Sequence, residues 1–146
     1  MFTDMKYKII KKLNKKQTKE LYQLYKKEWW TKKRKPKDIK KMLKHTDIIL
    51  GIVDKDKKLI GFVRVLSDFT YKAEIYDLII DKKYRDKKLG TLLTKKILNH
   101  KKLKSIEHFS LQCTNEMVKY YKKLGFTEKL GDLVYMRHLK TIKKHS

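Results

Sequence analysis

Between residues 47 and 100 the chain sets three apolar β-type runs, a basic turn and an amphipathic helix in succession, and few folds accept that order. Asp47 to Asp54 carries Ile48-Ile49-Leu50-Gly51-Ile52-Val53, Leu59 to Leu66 is rich in β-branched residues, and Ala73 to Asp81 contains Ile75, Leu78, Ile79 and Ile80. Runs of this kind bounded by polar turn residues predict strands. The five-residue link Asp54-Lys55-Asp56-Lys57-Lys58 predicts a hairpin, hence an antiparallel pair. After the third run, a basic loop from Tyr84 to Gly90 opens a helix reaching about His100, with Leu89, Leu92, Leu93, Ile97 and Leu98 on its apolar side. A further strand is predicted over Ile106 to Cys113. A strand–helix–strand unit implies a parallel pair. The expected fold is therefore α/β of the α+β kind, a mixed and mostly antiparallel sheet with helices on both faces.

The flanking segments complete the pattern. Lys6 to Lys12 predicts a first strand. Thr18 is the expected cap of a helix from Lys19 to about Trp30, with Leu21, Leu24 and Tyr25 at helical spacing. Thr31 to Lys37 is a basic loop with the one proline, Pro36, and Asp38 opens a short helix carrying Ile39, Met42 and Leu43. Glu116 to Leu124 predicts a helix ended by Gly125, because glycine takes the left-handed conformation without penalty. Leu133 to Leu139 is the expected closing strand. No linker or repeat divides the chain, so residues 1–146 are expected to form a single domain, with 140–146 a basic tail.

A chain of 146 residues that is 40% hydrophobic can bury a core without a disulfide or a structural metal. The lone cysteine, Cys113, fits a reducing compartment. No stretch approaches the roughly 20 apolar residues of a transmembrane helix, and no apolar leader opens the sequence. A cytoplasmic protein without a membrane role is expected. The formal charge of +24 invites a nucleic-acid reading, a lysine-rich binding protein without catalysis. Yet of 40 basic residues only Arg34, Arg64, Arg85 and Arg137 are arginine, and the lysines are spread over the whole length. Base and phosphate forks favour arginine. The lysines read as a solvated surface, and no specific nucleic-acid partner is expected. The histidines have no metal-ligand spacing with each other or with Cys113, so no metal is expected. Trp29-Trp30 reads as core and rim packing.

The segment Ile75-Tyr76-Asp77-Leu78-Ile79-Ile80-Asp81-Lys82-Lys83-Tyr84-Arg85-Asp86-Lys87-Lys88-Leu89-Gly90-Thr91 carries the most chemistry. A buried strand runs into a basic loop that opens a helix. Unpaired N–H groups and the positive dipole end at a helix N-terminus form an anion site. Arg85, Lys87 and Lys88 add charge around it, which suits a pyrophosphate. The Walker and Rossmann glycine patterns are absent. Arg85-Asp86-Lys87-Lys88-Leu89-Gly90 resembles the (Q/R)-x-x-G-x-(G/A) acetyl-CoA loop of the GNAT superfamily of N-acetyltransferases. Asn115-Glu116-Met117-Val118-Lys119-Tyr120-Tyr121-Lys122-Lys123-Leu124-Gly125-Phe126 resembles its second signature, a helix ending in YxKLGF. Gly61-Phe62-Val63-Arg64-Val65 is similar to its GFxRV strand. The resemblance covers residues 47 to 139. The first loop glycine of the family is Lys88 here, which with helical φ would still offer its N–H.

The resemblance implies a splayed sheet and an acyltransferase that moves an acetyl group from acetyl-CoA to a primary amine, a small molecule, by direct transfer in a ternary complex without a metal. The main chain of Leu78, Ile79 and Ile80 would hold the pantetheine arm. The N–H groups of Arg85, Asp86, Lys87, Lys88, Leu89, Gly90 and Thr91 would hold the pyrophosphate, with Asn115 a further cofactor contact. Tyr121 would protonate the leaving thiolate, since a phenol of ordinary pKa ~10 is protonated at neutral pH. Glu74 and Asp77 are the candidate bases for the amine. Three residues apart, they would point to opposite faces of a regular strand. The resemblance also offers Trp29-Trp30 as an aromatic wall beside the acceptor, and a monomer or homodimer is expected.

Overall fold

The structure is a computed structural model that describes residues 6–140; apart from Lys140, the expected basic tail lies outside the described residues. The chain divides into a compact unit ending at Gln112 and a second beginning at Cys113. The first unit holds a five-stranded sheet in sequential order, β1 (Lys8–Ile10), β2 (Ile48–Val53), β3 (Leu59–Ser67), β4 (Lys72–Ile80) and β5 (His108–Ser110). The first four strands pair antiparallel and β5 joins β4 in parallel. This is the expected mixed sheet, and its hairpin turn is held by Asp54, whose Oδ1 accepts from the N–H groups of Asp56 and Lys58.

Helix α1 (Lys15–Lys26) begins four residues before the expected start. Asn14, not Thr18, caps it. Asn14 Oδ1 accepts from the Gln17 N–H at 2.8 Å, and Gln17 Oε1 accepts from the Asn14 N–H at 3.0 Å. This reciprocal box satisfies two backbone donors and outcompetes a threonine one turn on. Thr18 instead donates to the Asn14 carbonyl within the helix. The helix stops at Lys26, so Trp29 and Trp30 lie beyond it and are 73% and 40% exposed, not core residues. Helix α2 (Pro36–Lys44) starts at Pro36, whose fixed φ suits a first helical turn.

Leu21, Leu24 and Tyr25 of α1 and Ile39 of α2 pack with Val53, Leu59, Phe62 and Ile79 of the sheet. Strand β3 is buried along nearly its whole length on both sides, which requires cover on both faces. Helix α3 (Leu89–Leu98), with Leu89, Leu93 and Ile97 buried, packs on β3 and β4 and supplies the second layer.

Strand β4 is not regular. Its pairing with β3 shifts between Phe62↔Ile79 and Arg64↔Tyr76, so Asp77 and Leu78 oppose the single Val63. Asp77 takes the left-handed conformation, φ 57°, which aspartate tolerates better than most residues. The bulge is pinned from below. Asp77 Oδ2 accepts from Arg34 Nη1 at 2.5 Å, from Arg64 Nε at 2.7 Å and from the Tyr25 hydroxyl at 2.9 Å, and Oδ1 accepts from Arg34 Nη2 at 3.2 Å. Burial alone would raise the Asp77 pKa, but the two guanidinium groups hold its carboxyl below the usual carboxylate range. Burial and the Asp77 charge push the Tyr25 phenol far above its ordinary value.

Strand β5 is shorter than the expected Ile106–Cys113 and pairs only with Lys72, Ala73 and Glu74 of β4. A bulge bends its strand and raises its twist, and from Ile75 onward β4 has no partner on that side among the described residues.

In the second unit, a 3-10 turn (Asn115–Met117) leads into the short helix α4 (Val118–Lys122). Gly125, φ 95°, ends it as expected: the Phe126 N–H reaches the Tyr121 carbonyl and the Gly125 N–H the Lys122 carbonyl, the pairing of a left-handed helix stop. The expected strand Leu133–Leu139 is not formed. The segment is irregular and exposed, with Val134 at 80% and Met136 at 86%. Strand preference is a packing property, and no described strand pairs with this run.

Asp77→Asn leaves two guanidinium groups facing a neutral amide and is expected to lose about 3–5 kcal/mol of unfolding free energy, with Tyr25→Phe losing about 1–3 kcal/mol. Because the Asp77 pKa is lowered in the folded state, its contribution is complete above about pH 4 and disappears as pH falls through the folded value. Urea titrations from pH 7 to pH 3 check both points: the wild type should lose stability in acid more steeply than Asp77→Asn.

Candidate active site

The open edge of β4 is the first element of the site. Past Glu74 its main chain stays paired with β3 but, among the described residues, has no strand on its other side as it runs through half-buried Leu78 to buried Ile79 and Ile80. Such an edge offers peptide N–H and C=O groups to an extended ligand with an amide-bearing arm. The bulge at Asp77 immediately precedes it and sets its direction.

The strand then enters a 3-10 turn (Lys82–Lys87) in place of the expected open loop. Asp81 caps it, accepting from the Lys83 N–H at 3.0 Å. Arg85 differs from expectation as well. Its Nε donates to the Ile80 carbonyl at 2.9 Å and its Nη2 meets Glu28 Oε2 at 2.6 Å. The guanidinium is thus turned back onto the strand end and neutralised by a carboxylate just past α1, so Arg85 fixes the turn and lends little net charge to an anion. Asp86, Lys87 and Lys88 are exposed.

Lys88 precedes α3 with φ 59° and ψ 27°, left-handed rather than helical, and provides no capping hydrogen bond. Glycine adopts this conformation freely, whereas a side chain pays roughly 1 kcal/mol or more. Gly90 sits inside the first turn of α3, so the conformational demand falls on the lysine. The helix opens with Leu89, Gly90 and Thr91, and the first ladder bond runs from the Leu92 N–H to the Lys88 carbonyl. A helix N-terminus without a side-chain cap, reached from β4 through a turn that carries exposed Lys82, Lys83, Lys87 and Lys88, can receive a phosphate group.

The two candidate bases have different surroundings. Glu74 is half-buried on β4, opposite Leu66 on one side and Ser110 on the other, and burial raises its pKa. Asp77 is buried with both oxygens engaged by Arg34, Arg64 and Tyr25. Along β4 Glu74 is half-buried and Asp77 is buried.

In the second unit, Asn115 opens the 3-10 turn and is exposed. Tyr121 is half-buried, its ring edge-to-face with Tyr120 at 5.0 Å and with Phe126 at 5.7 Å. Burial, with the neighbouring Tyr120 and Cys113, pushes its phenol up to about 12. Sequence reasoning overlooked Tyr25, Glu28, Arg34 and Arg64. A signal for three of the resulting contacts was present: in a lysine-dominated chain, Arg34, Arg64 and Arg85 all converge on β4. Among the described residues no cluster of three or more potential metal ligands occurs, and no helix is long and apolar enough to cross a membrane.

Comparison with known proteins gives the family. Residues 10–143 match the model of the acetyltransferase (GNAT) domain, and the chain belongs to that family. It is 33% identical over 110 residues to the uncharacterized N-acetyltransferase ycf52 of Pyropia yezoensis, covering 73% of this chain and 63% of that protein. It is 34% identical over 76 residues to the GCN5-related N-acetyltransferase 2, chloroplastic, of Arabidopsis thaliana, covering 52% and 30%. The chain thus spans less than two thirds of the length of these relatives. Among solved structures, a GNAT-family acetyltransferase from Streptococcus pneumoniae superposes with a TM-score of 0.74 at 22% identity, covering 92% and 98% of the two chains. Glucosamine-6-phosphate N-acetyltransferase from Arabidopsis thaliana does so at 0.71 and 18%, covering 91% and 97%. These last two likenesses concern the fold.

Replacing the strained lysine tests the turn: Lys88→Gly is expected to raise the urea midpoint, a gain of up to about 1 kcal/mol after the entropy of glycine is deducted. Unchanged or lowered stability would show that the left-handed turn costs this chain nothing.

Proposed function

We propose that the chain is an acetyl-CoA-dependent N-acetyltransferase acting on a primary amine of a small molecule, by direct transfer within a ternary complex. The observation that carries the reading is the edge of β4, unpaired on one side among the described residues, leading through the Lys82–Lys87 turn to the start of α3, which has no side-chain cap. Peptide groups of Leu78, Ile79 and Ile80 hold the pantetheine arm of the substrate, and N–H groups from Arg85 to Thr91 hold its pyrophosphate, with exposed lysines around it. Asn115 is kept as a further contact. The family match spans both compact units, which supports their working as one domain.

In the reaction the amine nitrogen attacks the thioester carbonyl carbon, the C–S bond breaks, and the coenzyme leaves as thiolate. Tyr121 gives its phenolic proton to that sulfur and is reprotonated from water. Its raised pKa keeps the proton in place at neutral pH. The proton lost by the amine goes to Glu74, whose raised pKa makes it a better base than an ordinary carboxylate. Asp77 is the weaker choice, since its oxygens are already hydrogen-bonded and its pKa is lowered. No step requires a metal. A monomer or homodimer in a reducing compartment fits the free Cys113; the cytoplasm and, given the chloroplastic name of an Arabidopsis relative, a plastid are both such places. The charge of +24 is the one observation favouring the nucleic-acid reading, and binding that survived physiological salt would support it.

Acetyl-CoA at 100 times its dissociation constant is expected to stabilise the fold by about 2.7 kcal/mol in thermal melts. Gly90→Asp should abolish that shift without harming the helix, because a carboxylate is welcome in a first turn but stands where the pyrophosphate belongs. An unmoved melting temperature in the wild type would overturn the reading.

Tyr121→Phe keeps the ring packing and removes the hydroxyl. A fall in kcat of about 10²- to 10⁴-fold with little change in acetyl-CoA affinity is expected, and a much smaller effect from Tyr120→Phe. A fully active Tyr121→Phe would remove the acid assignment and leave coenzyme binding intact.

A further inference from the structure

The cluster that pins the β4 bulge carries more positive charge than its structural task needs. Asp77 contributes one negative charge and Arg34 and Arg64 two positive ones, while Tyr25 stays neutral because its phenol pKa is pushed far upward. The nearby carboxylate of Glu28 is already paired with Arg85 and does not cancel the excess. Glu74 lies three residues back along the strand, opposite Leu66 and Ser110, and is not among the groups bonded to Asp77. One guanidinium charge is therefore left over at Asp77.

That charge is reachable. The Arg34 side chain is 31% exposed and that of Arg64 12% exposed. Arg64 donates to Asp77 through Nε only, lies 4.8 Å above the Tyr76 ring, and uses neither terminal nitrogen in a hydrogen bond to a described residue. A planar fork with both ends unspent suits a carboxylate or a phosphate.

It is also in the right place. Asp77 directly precedes Leu78, and a strand rises about 3.3 Å per residue, so the cluster lies within roughly 10 Å of any group held along Leu78–Ile80. Segment 28–34 is tied down at both ends, Glu28 to Arg85 and Arg34 to Asp77, and runs alongside this stretch with Trp29 and Trp30 exposed. A small molecule could span from the cluster to the transferred acetyl group.

Building on the acetyltransfer reading above, we propose that Arg34 and Arg64 form an anion subsite for the acceptor, so that the preferred substrate is a primary amine bearing a carboxylate or a phosphate. Cationic acceptors such as polyamines and lysine-rich peptides are disfavoured by the same excess charge and by the +24 surface.

The test measures coenzyme A release from acetyl-CoA with matched amines: O-phosphoethanolamine against ethanolamine, and β-alanine against its amide, with spermidine as the cationic case. The anionic member of at least one pair should be preferred by roughly tenfold or more in kcat/KM, chiefly through KM, and the pair that shows it tells phosphate from carboxylate. Arg34→Gln leaves Arg64 and Asp77 as a balanced pair and should collapse that preference to within a factor of about two. Its acetyl-CoA thermal shift should match that of the wild type, and Arg34→Lys, which keeps the charge, should retain part of the preference. Equal kcat/KM within both pairs, or equal losses for charged and neutral amines in Arg34→Gln, would overturn the subsite. Should acetyl-CoA give no shift and no amine release coenzyme A, the acetyltransfer reading fails separately. The subsite is then read by melts with O-phosphoethanolamine and ethanolamine alone. A phosphate-specific shift lost in Arg34→Gln sustains it, and equal shifts in the two proteins end it.

Discussion

The carboxylate of Asp77, held by two guanidinium groups and a phenol, is the interaction on which the first unit depends. It fixes a left-handed residue in the middle of a strand, a conformation that persists only where the surroundings over-determine it. The surroundings here come from three separated parts of the chain: Tyr25 on α1, Arg34 in the segment before α2, and Arg64 on β3. The same bonds that stabilise the bulge therefore also anchor the α1–α2 layer to the sheet. The bulge in turn sits where β4 has left β5, and the peptide edge of the proposed active site begins there.

Charge in this chain is divided between two residue types with different work. Most lysines are solvent-facing and contribute a general field. Arg34, Arg64 and Arg85 instead make directed bonds to Asp77, the Ile80 carbonyl and Glu28. The planar fork of arginine can hold two acceptors in a set geometry, which a lysine ammonium cannot. Lys57 in the β2–β3 hairpin and Lys88 before α3 are distinctive for their backbone and not their charge, since both take a left-handed conformation. Glu74 and Asp77 show the same principle for carboxylates. Three residues apart on one strand, they are shifted in opposite directions, one by burial and the other by two cations.

The order and type of the sheet elements were legible in the sequence because they rest on local signals: β-branched runs, the polar hairpin link at Asp54–Lys58, and the helical spacing of Leu89, Leu93 and Ile97. So was the glycine stop of α4. Boundaries were less so. The Asn14–Gln17 box and the Thr18 alternative are both valid caps one turn apart, and the earlier one gives the helix more satisfied donors. The run Leu133–Leu139 has strand-like composition, yet composition does not supply a ladder partner.

What the sequence determined by itself is the mixed sheet, the strand–turn–helix order after β4 and the family to which they belong, all encoded within short stretches of chain. What only the tertiary structure decided is the use of the charged side chains. Asp77 is a structural anchor rather than a free carboxylate, Arg85 is a clamp on its own strand, and Trp29 and Trp30 are exposed. Each of these depends on partners dozens of residues distant, or on where a helix happens to end. A charged or aromatic side chain has no intrinsic role until packing fixes which opposite charge it meets and how much water it loses, and neither quantity is written in the local sequence.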